Sequence, residues 1–344
     1  MSDANTSRND SAQLTEYVEL HGCSCKVGQD DLDSLLSEVG LTDQQDELLL
    51  GVGEDAAAQR LCDDLALVST VDFFTPIVDD PYDFGRVAAC NAASDAFATG
   101  AIDDVSCLVV LGVPRELHDR APAILAGIVD AVTAMDGTVA GGHTIMNPWP
   151  FAGGAVTATA APDHLLDTRN ATAGDQLYLT KPLGTQPAMG ALRVQDGEFA
   201  ETIAETATRS VDRIGDEALT WMTTPNREAV AAARDLATAA TDVTGFGLRG
   251  QARVLASNAD VGVEITALPV IEGTIELSRL FGYGLEEGAS AETSGGLLFS
   301  VPAGRSADLE AALSAAGVFH RQVGRVTDGS GVRLTDPDIE AISR

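Results

Sequence analysis

The stretch Ala240-Thr241-Asp242-Val243-Thr244-Gly245-Phe246-Gly247-Leu248-Arg249-Gly250 decides which α/β architecture the chain can adopt. Its last six residues match G-x-G-x-x-G, the turn that cradles a dinucleotide pyrophosphate when it follows an apolar strand. The residues ahead of it, Ala240 to Thr244, do not read as an apolar strand. Asp242 would also repel a pyrophosphate unless a cation stood between them. A dinucleotide-binding domain is therefore set aside, and the pattern G-x-x-x-x-G-K-[ST] occurs nowhere in the chain.

Other carboxylates share the setting of Asp242, at the ends of expected elements beside glycine or small residues. They are Asp55 in Gly53-Glu54-Asp55, Asp72 closing Ser69-Thr70-Val71, and Asp95 closing Asn91-Ala92-Ala93-Ser94. Asn91 and Asp95 are i,i+4 on one helix face that is otherwise apolar or small (Phe84, Ala88, Ala92). A carboxylate on a buried face must be paired or must hold a metal. Asp with waters and phosphate oxygens is the ligand set of Mg²⁺. Any one Asp among 52 acidic residues reads as solvated surface. The convergence of several points to metal–nucleotide binding.

Outward from these sites, apolar periodicity predicts helices at Asp30–Val39, Tyr82–Thr99 and Glu116–Met135. Strands are expected at Leu65–Val71, Ser106–Val113, Thr138–Ala140 and Gly154–Ala161. The polar stretch Asp163–Asp175 is the expected domain boundary. Beyond it come a strand at Gln176–Thr180, helices around 200–220 and 226–239, and a loop at Asp242–Gly250 leading into a helix to Ala256. Strands near 261–266, 295–301 and 319–326 follow, with a helix at 305–316. Alternation in both halves gives an α/β or α+β fold in two domains, 18–165 and 175–344, after a disordered tail at 1–17.

Composition limits the partners. Of 344 residues, 52 are Asp or Glu and 21 are Lys or Arg, a formal charge of −31. Such a surface repels nucleic acid and anionic lipid. A hydrophobic fraction of 45 % and a mean hydropathy of +0.07 exclude a disordered acidic chain. Only two of the bases are Lys, namely Lys26 and Lys181. Acidity with lysine depletion predicts a halophilic protein, and lysines retained against that depletion are candidates for required roles. The first residues are polar, no apolar stretch approaches ~18 residues, and the five Cys suit no disulfide framework. A cytoplasmic location is the expectation.

The most specific local feature is Gly22-Cys23-Ser24-Cys25-Lys26. Lys26 is expected to lower a nearby thiol pKa and favour the thiolate. A thiolate beside an ammonium could hold a soft chalcogen while the ammonium faces phosphate. Two thiols without further paired Cys or His make an incomplete zinc site.

These residues together resemble the selenophosphate synthetase (selenide, water dikinase) family, from near residue 17 to near the end. His21-Gly22-Cys23-Ser24-Cys25-Lys26 looks like its catalytic segment, and Ser69 to Asp79 with Asp83-Phe84-Gly85-Arg86 is similar to its most distinctive stretch. Asn91 to Asp95, Ala140 to His143, Leu179 to Gly184, Asp242 to Leu248 and Thr293-Ser294-Gly295-Gly296-Leu297-Leu298 follow in family order. The Gly and Asp motifs are shared with relatives of the aminoimidazole ribonucleotide synthetase-like fold, among them thiamine-phosphate kinase and a hydrogenase-maturation dehydratase. The Cys-x-Cys-Lys segment is not.

The resemblance implies a two-domain fold whose N-terminal domains pair in a homodimer to form an intersubunit β-barrel. It implies the reaction ATP + selenide + water to selenophosphate + AMP + phosphate. Cys23 is then the catalytic thiol and Lys26 the essential lysine touching the nucleotide. Asp55, Asp95 and Asp242 correspond to Mg²⁺ ligands. Asp72, the turn Val52-Gly53-Glu54, and Gly141, Gly142 and His143 fall on ATP-contact positions, to which Asp95 also contributes. Ser290-Ala291-Glu292 departs from the family's Asp-x-Gln before Thr-Ser-Gly-Gly, so no catalytic role is assigned there. Lys181 is read either as a phosphate contact or as a strand cap. The alternatives are a same-fold ATP-dependent enzyme with another acceptor and a non-catalytic ATP-binding protein.

Overall fold

The structure, a computed structural model, describes residues 13–38 and 48–343. Helix α1 (Gln29–Glu38) follows the Cys segment, and Val39, read as its end, lies outside the described residues. Of the expected tail, residues 1–12 also lie outside them. Residues 14–17 correct that expectation by forming a 3-10 turn. Leu14 is buried there, and Thr15 donates from its backbone N–H and its hydroxyl to Asp79 Oδ1.

The first half holds β1 (Leu48–Leu50), β2 (Ala57–Cys62), β3 (Leu65–Phe74), α2 (Pro81–Ala98), β4 (Asp103–Val113), α3 (Ala121–Ala134), β5 (Thr138–Met146) and β6 (Phe151–Ala160). Its strands make one six-stranded sheet in the order β1-β2-β3-β6-β4-β5, antiparallel except for the β4–β5 pair. Glu116–Met135, expected as one helix, is a 3-10 segment (Arg115–Arg120) followed by α3, with Pro122 in the first turn of α3 where no N–H is needed. Strand β5 is longer than expected, running through Gly141-Gly142-His143 to Met146.

Helix α2 organises the molecule. Asp80 caps it, accepting from Asp83 N–H at 2.9 Å, and Pro81 opens it. Every residue from Val87 to Ala98 is buried, because the helix lies between the first sheet, α3 and the second half rather than on a surface. Its crossing with α3 is closed by a reciprocal glycine pair. A Cβ at Gly85 would lie 2.0 Å from Ile124 O, and one at Gly127 would lie 1.9 Å from Tyr82 O.

The second half contains β7 (Gln176–Leu179), α4 (Thr185–Val194), α5 (Ala200–Thr206), α6 (Val211–Met222), α7 (Arg227–Ala233), β8 (Ala239–Asp242), α8 (Gly247–Ala259), β9 (Gly262–Ile271), α9 (Thr274–Phe281), β10 (Leu297–Val301), α10 (Ser306–Ala315), β11 (Arg321–Thr327) and β12 (Gly331–Ile342). The sheet order is β12-β9-β11-β7-β10-β8. Contrary to the reading of the residues before Gly245 as no apolar strand, Ala239–Asp242 is a strand, fully buried. Among the described residues it pairs with β10 alone, and antiparallel. The Gly-rich turn therefore leaves an antiparallel edge strand, not the central parallel strand of a dinucleotide fold.

Candidate functional site

Four elements deliver the site. Strand β3 alternates, so Ala66, Val68, Asp72 and Phe74 face α2 while Val71 and Phe73 face outward. Helix α2 brings Asn91, Ser94 and Asp95; β8 and the turn after it bring Asp242 and Thr244; the Cys segment lies across them. Asp72 and Asn91 are buried, and their side chains meet, Asn91 Nδ2 donating to Asp72 Oδ2 at 2.7 Å. The same oxygen pairs with Lys26 Nζ at 2.9 Å. Cys23 is fully buried, and its Sγ–H donates to Asn91 Oδ1 at 3.2 Å. A continuous chain thus runs from Cys23 through Asn91 and Asp72 to Lys26.

The loop Thr293–Gly296 locks this chain from the second half. Cys23 N–H donates to Thr293 Oγ1 at 3.1 Å, and Ser294 N–H donates to Asn91 Oδ1 at 2.8 Å. Ser294 has φ +50°, and the glycines after it permit close packing. A Cβ at Gly295 would lie 1.9 Å from Val243 O, and one at Gly296 would lie 2.4 Å from Lys181 N. The sequence motifs single out this Thr-Ser-Gly-Gly run and Asn91, but not as the partners of the thiol.

The electrostatics are lopsided. Burial pushes the carboxyls of Asp55 and Asp95 well above the usual carboxylate range, and the charge of Asp242 adds to both. Burial raises Asp242 too, against the pull of Lys26. Burial works to lower the Lys26 ammonium, but Asp72, Cys23, Asp95 and Asp242 outweigh it and hold Lys26 charged. The thiol corrects an expectation. Burial pushes Cys23 up, and the nearby Lys26 does not overcome it. In this closed arrangement the group is a thiol, because burial outweighs the pull of an ammonium that is paired with Asp72.

Among the described residues no three His, Cys, Asp or Glu side chains form a ready-made metal cluster. The fit to a hard cation rests instead on orphaned oxygens. Among the described residues Asp55 Oδ2 and Asp242 Oδ2 are buried with no hydrogen-bond partner, while Asp55 Oδ1 accepts from Thr241 Oγ1 at 3.1 Å and Asp95 Oδ2 accepts from Thr70 Oγ1 at 2.7 Å. Such all-oxygen, half-satisfied carboxylates suit Mg²⁺, which takes one or two protein carboxylates and completes its shell with water and phosphate. Beside them opens a cleft of about 610 Å³ lined by Gly53, Gly245, Phe246, Arg253 and Asn258. A Cβ at Gly245 would lie 2.6 Å from Cys23 O and 3.4 Å from Lys26 Cδ, so the cleft adjoins the Cys segment. Its size is that of a small-molecule site.

Residues 53–160 match the N-terminal domain of AIR synthase related proteins, and residues 172–337 match the C-terminal domain. The selenide, water dikinase of Methanocaldococcus jannaschii is 40 % identical over 346 residues, covering 97 % of this chain and 98 % of the relative. The chain belongs to the selenide, water dikinase family. That of Methanococcus maripaludis is 40 % identical over 335 residues, covering 94 % and 99 %. A thiamine monophosphate kinase from Aquifex aeolicus superposes with a TM-score of 0.67 at 19 % identity, covering 91 % of this chain and 100 % of that one. An E. coli hydrogenase maturation protein gives 0.63 at 22 %, covering 89 % and 93 %. These last two likenesses concern the fold alone.

Not every residue expected from the family resemblance joins the cluster. Glu54 is engaged elsewhere, accepting from Thr168 N–H at 3.2 Å and Thr168 Oγ1 at 2.6 Å, and Gly53 O accepts from Asn258 Nδ2 at 2.8 Å. The Val52–Glu54 turn is thereby pinned at the mouth of the cleft. Gly141, Gly142 and His143 lie exposed on edge strand β5. Two strands separate β5 from β3, a distance of roughly 14 Å at the usual strand spacing. Lys181 is buried and donates to Ser294 O at 2.8 Å, so its observed partner is the Thr293–Gly296 loop.

Proposed function

We propose that the protein makes selenophosphate from selenide, with ATP as phosphoryl donor and AMP and phosphate as the other products. The observation that carries this reading is the chain Cys23–Asn91–Asp72–Lys26, found in a member of the selenide, water dikinase family. A same-fold kinase has no need of a buried thiol wired to the lysine at its carboxylate cluster. Lys26 contributes a charge that a triphosphate would draw away from Asp72. Asp55, Asp95 and Asp242 would hold Mg²⁺, which when bound neutralises phosphate charge. Asn91 fixes the direction of the thiol proton, and the Thr293–Gly296 loop fixes the backbone that carries the thiol. The Cys segment covers the site and keeps water from the acceptor. With Cys23 buried, selenide entry requires the segment to lift.

The outer face of the first sheet supports a homodimer. Val71, Phe73, Leu108, Ile145, Met146 and Trp149 are large apolar side chains exposed together on it and on its β5 edge. Two such faces closing on each other would form the intersubunit barrel and protect the edge strand. The protein is also read as halophilic, from its charge of −31 and its two lysines.

The deciding experiment is phosphorus NMR of the protein with Mg²⁺-ATP and anaerobic selenide in high KCl. A selenophosphate resonance should grow with AMP and phosphate and vanish in Cys23→Ser, Lys26→Ala and metal-free samples. ATP left intact, or converted to ADP without a selenium–phosphorus species, would move the protein to a sister activity.

A further inference from the structure

Lys181 is one of two lysines in the chain, and nothing in the reaction above uses it. It follows β7, is 3 % exposed, and directs Nζ to Ser294 O. An ammonium has three donors, and Ser294 O is the one acceptor it meets among the described residues. Lys181 also lines a cavity of about 270 Å³ between α3, α6, α7 and the Ala316–Phe319 turn.

Arg227 lines the same cavity from the start of α7. Its two terminal nitrogens are engaged by Glu228 and Asp136, both at 3.3 Å, while its buried Nε has no partner among the described residues. Asn226 adds a wall, its amide already committed to Ser94 Oγ and Gly295 O. The rings of Trp221 and Phe319 close one side. Buried donors are rarely left without acceptors. Two cations, Lys181 and Arg227, border this one space, with the carboxylate of Glu228 beside Arg227. Water would supply the missing acceptors. An anion would supply them and also balance the charge of Lys181, which among the described residues meets a carbonyl and no carboxylate.

We propose that this cavity is a second anion site, distinct from the carboxylate cluster, that takes a tetrahedral oxyanion of the size and charge of orthophosphate. Burial lowers the Lys181 ammonium to about 8, against Cys90 and Asp242, so the cation persists at neutral pH. Ser294 links the cavity to the thiol. Its carbonyl accepts from Lys181, and its N–H donates to the Asn91 oxygen that also accepts from Cys23. An oxyanion on Lys181 would take its spare donors beside that carbonyl, so occupancy of the cavity adjoins the loop that orders the thiol. That orthophosphate is released during turnover rests on the reaction proposed above; the site itself does not.

The test is calorimetric titration of the full chain with inorganic phosphate at pH 7 and constant ionic strength, in EDTA. Without a divalent cation the carboxylate cluster repels phosphate, which isolates this cavity. Saturable binding is expected, at least tenfold weaker in Lys181→Met and in Arg227→Gln and unchanged in Lys26→Ala. Arg227 is near the rim, its side chain 21 % exposed, so its variant stays readable even if Lys181→Met does not fold. No saturable binding by the unaltered chain, or unchanged affinity in both cavity variants, leaves the space to water and overturns the proposal. Loss of binding in Lys26→Ala alone assigns the phosphate to the nucleotide site and overturns it as well. None of these readouts depends on selenophosphate being formed.

Discussion

The Cys23 thiol donates to Asn91 Oδ1 while Lys26, three residues on, is held by Asp72, so burial of the sulfur outweighs an ammonium shared with a carboxylate. Motif reading found the residues but not this division of labour, because proximity in sequence says nothing about which anion a lysine will meet. The desolvation that keeps sulfur protonated comes from α2 and the Thr293–Gly296 loop, which lie far along the chain. A thiol-specific disulfide reagent should accordingly react with exposed Cys62 at once and with Cys23 at least a hundredfold more slowly in the absence of nucleotide. Equal rates at the two thiols would show that the segment already stands open.

Among the elements, α2 and β3 were legible because their patterns are strong: a run of small residues at helical spacing, and a strand of alternating burial. Helix α4 was not, since Gly184, Pro187 and Gly190 spell a loop. What makes it a helix is a tertiary cap. Glu292, buried in the second half, accepts from Gly184 N–H at 2.7 Å, from Thr185 N–H at 2.8 Å and from the Thr185 hydroxyl, which in turn accepts from Thr293 N–H. The departure from the family's Gln thus places a carboxylate at a helix N-terminus. Burial raises this carboxyl to about 7, opposed by those hydrogen bonds. A raised carboxyl favours the folded state fully below the unfolded value of 4.5, and that contribution is lost as pH rises through 7. Relative to Glu292→Gln, the native chain should therefore lose stability between pH 5 and 8, by on the order of 3 kcal/mol. Denaturant titrations of both proteins at several pH values measure this, and a pH-independent difference would refute it.

For the whole molecule, alternation of strands and helices announced two α/β halves, and the two sheets divide between residues 160 and 176. The mixed, largely antiparallel strand order was hidden, since pairing partners are set by contacts remote in sequence. The exposed apolar face of the first sheet is the least soluble feature of a very acidic surface. Phe73→Asp should convert a sedimenting dimer to monomer, and an unchanged mass would move the interface elsewhere. Charge acts at the same scale. Screening lengths differ more than tenfold between ~10 mM and ~2 M KCl, so the melting temperature should rise steeply with salt; a flat response would argue against halophilic adaptation.

The bonds from Thr293 and Ser294 to Cys23 and Asn91 join residues 270 and 203 positions apart, and this bears on how such a protein can change by recombination. A crossover at the Asp163–Asp175 stretch would leave each sheet whole, yet it would pair one ancestor's thiol cradle with another's clasp. Chimeras cut there should fold and still lack a shaped site until the loop at 292–296 is inherited with its matching Cys segment. The two halves of this gene are thus bound to travel as a single heritable unit.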